Sequence, residues 1–108
     1  DVPDTNIALA VWYIGHLMDT FDHRVLPVVA AYNAGPGNVQ RWLREDVWPG
    51  TLETVSAIPF PETRVYVQRV TQNYRIYRLL HPSFHGGYQE LAAVIPWRTS
   101  AARASDRR

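Results

Sequence analysis

A chain of 108 residues holds one ordinary domain at most. Hydrophobic residues make up 46%, enough for a globular core, and the net charge of +1 does not suggest nucleic-acid binding, which normally shows a strongly basic face. There is no cysteine and hence no disulfide framework. No apolar run reaches the roughly 18 residues of a membrane-spanning helix.

Pro3-Asp4 opens the first predicted helix, with Asp4 as its N-cap. Apolar residues then recur at Ile7, Ala10, Val11, Ile14, Leu17, Met18 and Phe21, a helical stripe rather than an alternation. Asp22-His23-Arg24 reads as a turn. The second helix, Val25 to Asn33, is apolar almost throughout, which predicts the most buried, central element. Its Pro27 falls in the first turn, where a missing N–H is tolerated. The helix stops at Ala31-Tyr32-Asn33-Ala34-Gly35-Pro36-Gly37. Gly35 takes the left-handed conformation that ends a helix, and Pro36 cannot continue one, so both are structural.

Asn38 is predicted to cap the third helix, with Val39, Trp42 and Leu43 on its inner face. Trp48-Pro49-Gly50 reads as a loop, and Thr51 as the cap of a short helical piece ending at Ala57. Pro59 and Pro61 force an extended entry into the last and longest helix, and Pro61 suits its first position. Glu62 then lies in the first turn, where the helix dipole favours a carboxylate. Val65, Tyr66, Val70, Asn73, Tyr74, Tyr77 and Leu80 form its predicted inward face, and Pro82 ends it. Beyond this, His81 to Gly87 is loop-like, Gln89 to Ile95 permits a turn or two of helix, and Thr99 to Arg108 has a disordered composition. The expected fold is all-α, four or five helices with an irregular tail from 82 to 108.

Two segments carry more than helix punctuation. One is the Ala31–Gly37 stop, which places a phenol and an amide on the last turn before the glycine, where they are expected to face out beyond the helix end. The other is Ile58-Pro59-Phe60-Pro61-Glu62-Thr63-Arg64-Val65-Tyr66-Val67. Together with Asn6-Ile7, Trp12-Tyr13-Ile14, Leu17, Asn38-Val39 and Arg41-Trp42, they resemble the lytic transglycosylases of the Slt type. Those enzymes have a goose-lysozyme-like catalytic domain and cleave the glycan strands of bacterial peptidoglycan. The resemblance runs from about Asn6 to Leu80 and implies a lysozyme-like helical lobe over residues 1–81. The family's catalytic glutamate lies in a Glu-Ser motif upstream of the Tyr-Asn segment, followed by a Gly-Leu-Met-Gln motif. Neither occurs in these 108 residues. The chain therefore corresponds to the C-terminal part of a catalytic domain, expected to be inactive alone and to associate with itself or with the missing N-terminal part.

Glycan cleavage needs a proton donor at the glycosidic oxygen, and most glycosidases add a second carboxylate. The resemblance implies a single glutamate, with the sugar's own hydroxyl attacking the anomeric carbon to leave a 1,6-anhydro end. In the family the tyrosine matching Tyr32 reaches that glutamate and the substrate. The bland reading of Tyr32 is a core tyrosine. Asn33 either binds substrate or stabilises the turn. Glu62 is either a groove-lining acid or a first-turn helix acid, and Tyr66, one turn on, is a further groove candidate. His16, His23, His81 and His85 form no helical pair with an acid, and Gly35-Pro36-Gly37 lacks the strand and spacing of a phosphate loop, so neither metal nor cofactor is expected. Peptidoglycan glycan strands are the implied partner and the bacterial cell envelope, periplasmic or exported, the implied location. The alternative is a non-catalytic helical module that binds glycan or a partner.

Overall fold

The computed structural model describes residues 2–80 and Ile95, with side chains from Ala8 onward. The expectations for the loop after His81, the helical turns after Gln89 and the tail from Thr99 lie outside the described residues, apart from a buried bend at Ile95. Four α-helices follow in order: α1 Val2–Thr20, α2 Val25–Ala34, α3 Pro36–Arg44 and α4 Pro61–Leu80, with a 3-10 segment, Leu52–Ala57, before the last. Among the described residues there is no strand. The fold class is all-α, as expected.

The apolar composition of α2 makes it the centre. Pro27 through Ala34 are all buried, and the helix packs against α1, α3 and α4. The core gathers Ile14, Leu17 and Phe21 of α1, Val28 to Ala31 of α2, Val39 and Trp42 of α3, and Tyr66, Val67 and Val70 of α4. At roughly 1.5–3 kcal/mol per fully buried aliphatic side chain, this cluster is the main source of stability.

The helix ends explain the connections. α1 closes with His23 N–H donating to Met18 O at 2.7 Å, while Asp22 and His23 take positive φ. α3 ends in the same way: Val47 N–H reaches Trp42 O at 2.8 Å and Asp46 N–H reaches Leu43 O, the paired bonds of a Schellman stop with Asp46 at positive φ. Trp48, expected only as part of a loop, is fully buried, and its indole N–H donates to Thr51 O at 3.2 Å. The neighbouring Gly50 has φ 87°, and a Cβ there would lie 2.6 Å from the Arg24 guanidinium. That guanidinium donates to Pro49 O at 2.7 Å, so the glycine lets Arg24 fasten the loop to the start of α2.

Several boundaries differ from expectation. α1 begins at Val2, which puts Asp4 inside the first turn and not at the N-cap; Pro3 is tolerated there because the first N–H groups of a helix have no partner. Val11 of the predicted α1 stripe is only half-buried. α3 begins at Pro36 with Gly35 as its N-cap, so Asn38 is a first-turn residue. Proline pre-set at the first helical position starts the helix three residues sooner. Thr51 does occupy the N-cap of the 3-10 segment, but its hydroxyl meets the Thr54 hydroxyl at 2.7 Å and caps no backbone N–H. In α4 the inward face is rotated from the predicted one. Thr63, Tyr66, Val67 and Val70 are buried, Tyr74 and Tyr77 partly so, whereas Val65, Asn73 and Leu80 are exposed. The rotation brings Thr63 against α2.

Candidate functional site

The site forms where the end of α2 meets the first turns of α4. Three local features fix it. First, α2 runs unbroken into the Gly35 junction: Gly35 N–H donates to Ala31 O at 2.8 Å, and its φ of 93° with ψ of 141° turns the chain at once into α3. The φ is positive as expected, but the extended ψ lies outside the left-handed helical well, in a region open essentially to glycine. Second, Asn38 Nδ2 donates back to Ala34 O at 2.7 Å, filling a carbonyl that the end of α2 leaves open, and Arg41 donates to Asn38 Oδ1 at 3.2 Å. Third, Trp42 meets Phe60 edge-on at 5.1 Å between ring centres, holding the entry to α4 against α3.

On this frame the two sequence motifs come together. Asn33, fully buried, accepts a 2.6 Å hydrogen bond at Oδ1 from the Thr63 hydroxyl, itself fully buried, across thirty positions of sequence. The other side of the amide, Nδ2, is buried with no hydrogen-bond partner among the described residues. Tyr32 lies beside Asn33 at the end of α2, 8% exposed, and does not project from the helix end into open solvent. Its ring tilts against Tyr13 of α1 at 5.7 Å. Tyr66 of α4 is 3% exposed and close enough to Tyr32 to feel it electrostatically.

The electrostatics follow from burial. Desolvation raises the Tyr32 phenol above its ordinary value, and Tyr13 adds to the shift. Desolvation raises Tyr66 far more, beyond any physiological range, with Tyr32 the second cause. Both phenols are therefore neutral at working pH. They donate and accept hydrogen bonds but serve as neither base nor charged nucleophile. Glu62 stands one turn before Tyr66 with its carboxylate exposed. Arg64 is half-buried, with Nε unpartnered among the described residues.

Tyr32, Asn33 and Tyr66 are thus brought to one junction, with Glu62 at its rim, and Gly35 and Pro36 hold the backbone that makes it. The sequence motifs include Tyr13 without giving it a site role, and include Thr63 as context only. A signal for Thr63 is present: a threonine inside an apolar face usually has a hydrogen-bond partner. No comparable signal marks Tyr13. Its contact with Tyr32 depends on how α1 crosses α2. Among the described residues no cluster of His, Asp or Glu can hold a metal ion, and no helix is long and apolar enough to cross a membrane.

Comparison with known proteins agrees with the motifs. Residues 1–54 match the family model of the transglycosylase SLT domain. The soluble lytic murein transglycosylase of Salmonella typhimurium (strain LT2) is 34% identical over 99 residues, covering 89% of this chain and 14% of that protein. The soluble lytic murein transglycosylase of Escherichia coli (strain K12) is 35% identical over 98 residues, covering 88% of this chain and 14% of that protein. No solved structure matches. The chain belongs to the SLT transglycosylase family, and it spans about one seventh of the length of these curated relatives.

Proposed function

We propose that this chain contributes a wall of the glycan groove to a peptidoglycan lytic transglycosylase of the bacterial envelope. That enzyme would cleave between N-acetylmuramic acid and N-acetylglucosamine and leave 1,6-anhydro ends. The observation that supports this best is the convergence of Tyr32 and Asn33 with Tyr66, drawn from two separate motifs, at one junction. In this reading Tyr32 and Tyr66 act as neutral hydrogen-bonding groups that orient the general acid and the sugar. The Asn33 Nδ2 is buried with no hydrogen-bond partner among the described residues, and Glu62 lines the rim. In this reading residues 1–81 are a part of the catalytic domain. The general acid is not among these residues, because no Glu-Ser motif occurs in the sequence.

Two measurements test the reading. The 108-residue chain alone should release no anhydro-muropeptides from purified sacculi above a blank, since a positioned general acid contributes about 10²–10⁴-fold. Turnover well above the blank would move the proton donor into this chain, with Glu62 the first suspect. In the full-length enzyme, Tyr32→Phe should lower turnover about ten-fold or more, each 1.36 kcal/mol of lost transition-state stabilisation being ten-fold in rate. The melt should shift by no more than about 1 kcal/mol, the worth of one hydrogen bond. Unchanged turnover would return Tyr32 to the role of a core tyrosine.

A further inference from the structure

The exposed side of α1 carries a stripe that the tyrosine junction does not use. Leu9, Trp12, His16 and Asp19 recur at three- and four-residue spacing, so they share one face of the helix. The core takes a different face, through Ala10, Ile14, Leu17 and Met18. Leu9 is 55% and Trp12 67% exposed, and His16 and Asp19 are exposed as well. The Trp12 and His16 ring planes are 7° apart, with centres 5.8 Å apart. Rings in full face-to-face contact stand about 3.5–4 Å apart, so the imidazole is displaced sideways and leaves much of the indole face open. His16 also lies 6.4 Å from Tyr13 with planes 17° apart, and Tyr13 meets Tyr32 at 5.7 Å. A row of rings therefore runs from the solvent-exposed Trp12 to the junction.

We infer that Trp12 and His16 form an outer sugar subsite, which takes the flat C–H face of a β-linked pyranose on the strand held at the junction. That the sugar belongs to that strand rests on the function proposed above. In a β-linked, gluco-configured ring the substituents are equatorial, and the axial C–H bonds make both faces apolar. Those hydrogens carry slight positive charge and meet the negative face of an aromatic ring. One turn beyond His16, the Asp19 carboxylate stands 3.8 Å from the His23 imidazole and supplies an acceptor for hydroxyls at a sugar's edge. Other occupants fit worse. A nucleobase stacks equally well, but its phosphates need cations, and the stripe holds no Lys or Arg and ends in an acid. A stable protein interface covers about 800 Å² on each partner. A buried tryptophan supplies about 150–250 Å² of that, and Leu9 is the one other large apolar residue on the stripe. The stripe is the size of a sugar, not of a protein partner.

Titration of the full chain with chitotetraose, a β-linked N-acetylglucosamine tetramer, tests this by calorimetry and by tryptophan fluorescence. Sorbitol, which has hydroxyls but no ring, is the control. Trp12→Ala and Trp12→Gln should both weaken chitotetraose binding by about ten-fold or more, the scale of one lost stacking contact. Trp12→Phe keeps a ring and should bind within a few-fold of the wild type, while the emission change on binding disappears. Unchanged melts confirm the fold of each variant, as expected at an exposed position. Equal binding in the wild type and the two ring-less variants, or no binding to the wild type, overturns the subsite. So does the same emission change with sorbitol. A wild-type dimer in sedimentation that Trp12→Ala turns into a monomer overturns the sugar in favour of a second copy of the chain. Chitotetraose binding that depends on Trp12, together with unchanged turnover of full-length Tyr32→Phe, upholds the subsite and sinks the reading of the junction. Lost turnover in Tyr32→Phe with binding that ignores Trp12 does the reverse.

Discussion

The two halves of α4 are one continuous helix with opposite fates. In the first ten residues, Thr63, Tyr66, Val67 and Val70 are buried against α2, and the motif residues are the packing residues. In the second ten no residue is fully buried, Tyr74 and Tyr77 pack only in part, and Ile76 and Leu79 are largely exposed. Composition does not separate the halves, since both mix aliphatic residues, tyrosine and arginine. What separates them is position relative to the α2 junction. A side chain in this helix is valuable to the fold only where the end of α2 meets it, and the same contacts build the candidate site.

Truncation should break the comparison most sharply. Tyr66→Ala removes a large buried ring from the junction and should cost about 3–5 kcal/mol in chemical denaturation, the range for large aromatic-to-alanine changes in a core. Leu79→Ala, at a position 81% exposed, should stay within about 0.5 kcal/mol of the parent. Similar losses in both would mean that the outer half is as integral to the fold as the inner one.

The Asn33–Thr63 bond sharpens the same contrast at the level of one contact. Thr63→Val keeps the shape but strands a buried carbonyl oxygen, which costs about 1–3 kcal/mol. Adding Asn33→Ala removes the stranded group, so the double variant should lose less than the sum of the two single losses. A double-mutant cycle with additive effects would show that the bond contributes nothing beyond its two ends.

The two glycines beside the junction should respond with opposite signs. Gly35→Ala forces an alanine into φ 93°, ψ 141° and should destabilise by about 1–3 kcal/mol. Gly37 lies in the first turn of α3, and the space that an added methyl group would enter is open, so Gly37→Ala should raise stability by about 0.4–1 kcal/mol. Thermal melts of the two variants decide this directly. A loss in both would place an unrecognised constraint on the start of α3.

The sequence makes α2 legible because its apolar run leaves no ambiguity of face, and the stop at Gly35-Pro36 because those residues permit few conformations. It misjudges the face of α4 by about one residue. Val65 and Leu80 look like core and Thr63 looks like surface, yet the fold buries Thr63 because Asn33 satisfies its hydroxyl. Hydrophobicity cannot register a partner thirty positions away. The same limit hides the burial of Trp48, whose pocket is made by packing and whose N–H is answered only three residues later. For Tyr32 the helix end suggests an outward-facing ring. In the fold, Tyr13 arrives from α1 and covers the ring, an event fixed by the crossing of two helices and by no local pattern.

Alkaline titration is the finest test of how closed the junction is. Burial raises Tyr66 far above the ordinary tyrosine value of about 10, and Tyr32 also lies above it. Below pH of about 10 both phenols are neutral in the folded and the unfolded chain, and their contribution is fully present. As pH rises past that point the unfolded tyrosines release protons while the buried ones keep theirs. The unfolded state then binds fewer protons, and stability falls with pH at up to about 1.4 kcal/mol per unit for each such tyrosine. Tyr66→Phe deletes one of these groups. Relative to its own stability at pH of about 8, the variant should lose less than the parent by roughly 0.8 kcal/mol at pH of about 10.5, the linkage value for one tyrosine that ionises only when unfolded. Denaturant melts at the two pH values on both proteins give the difference, whatever the substitution costs at neutral pH. Parallel loss in parent and variant would mean that water reaches the Tyr66 hydroxyl, and that the junction is an open groove at that point.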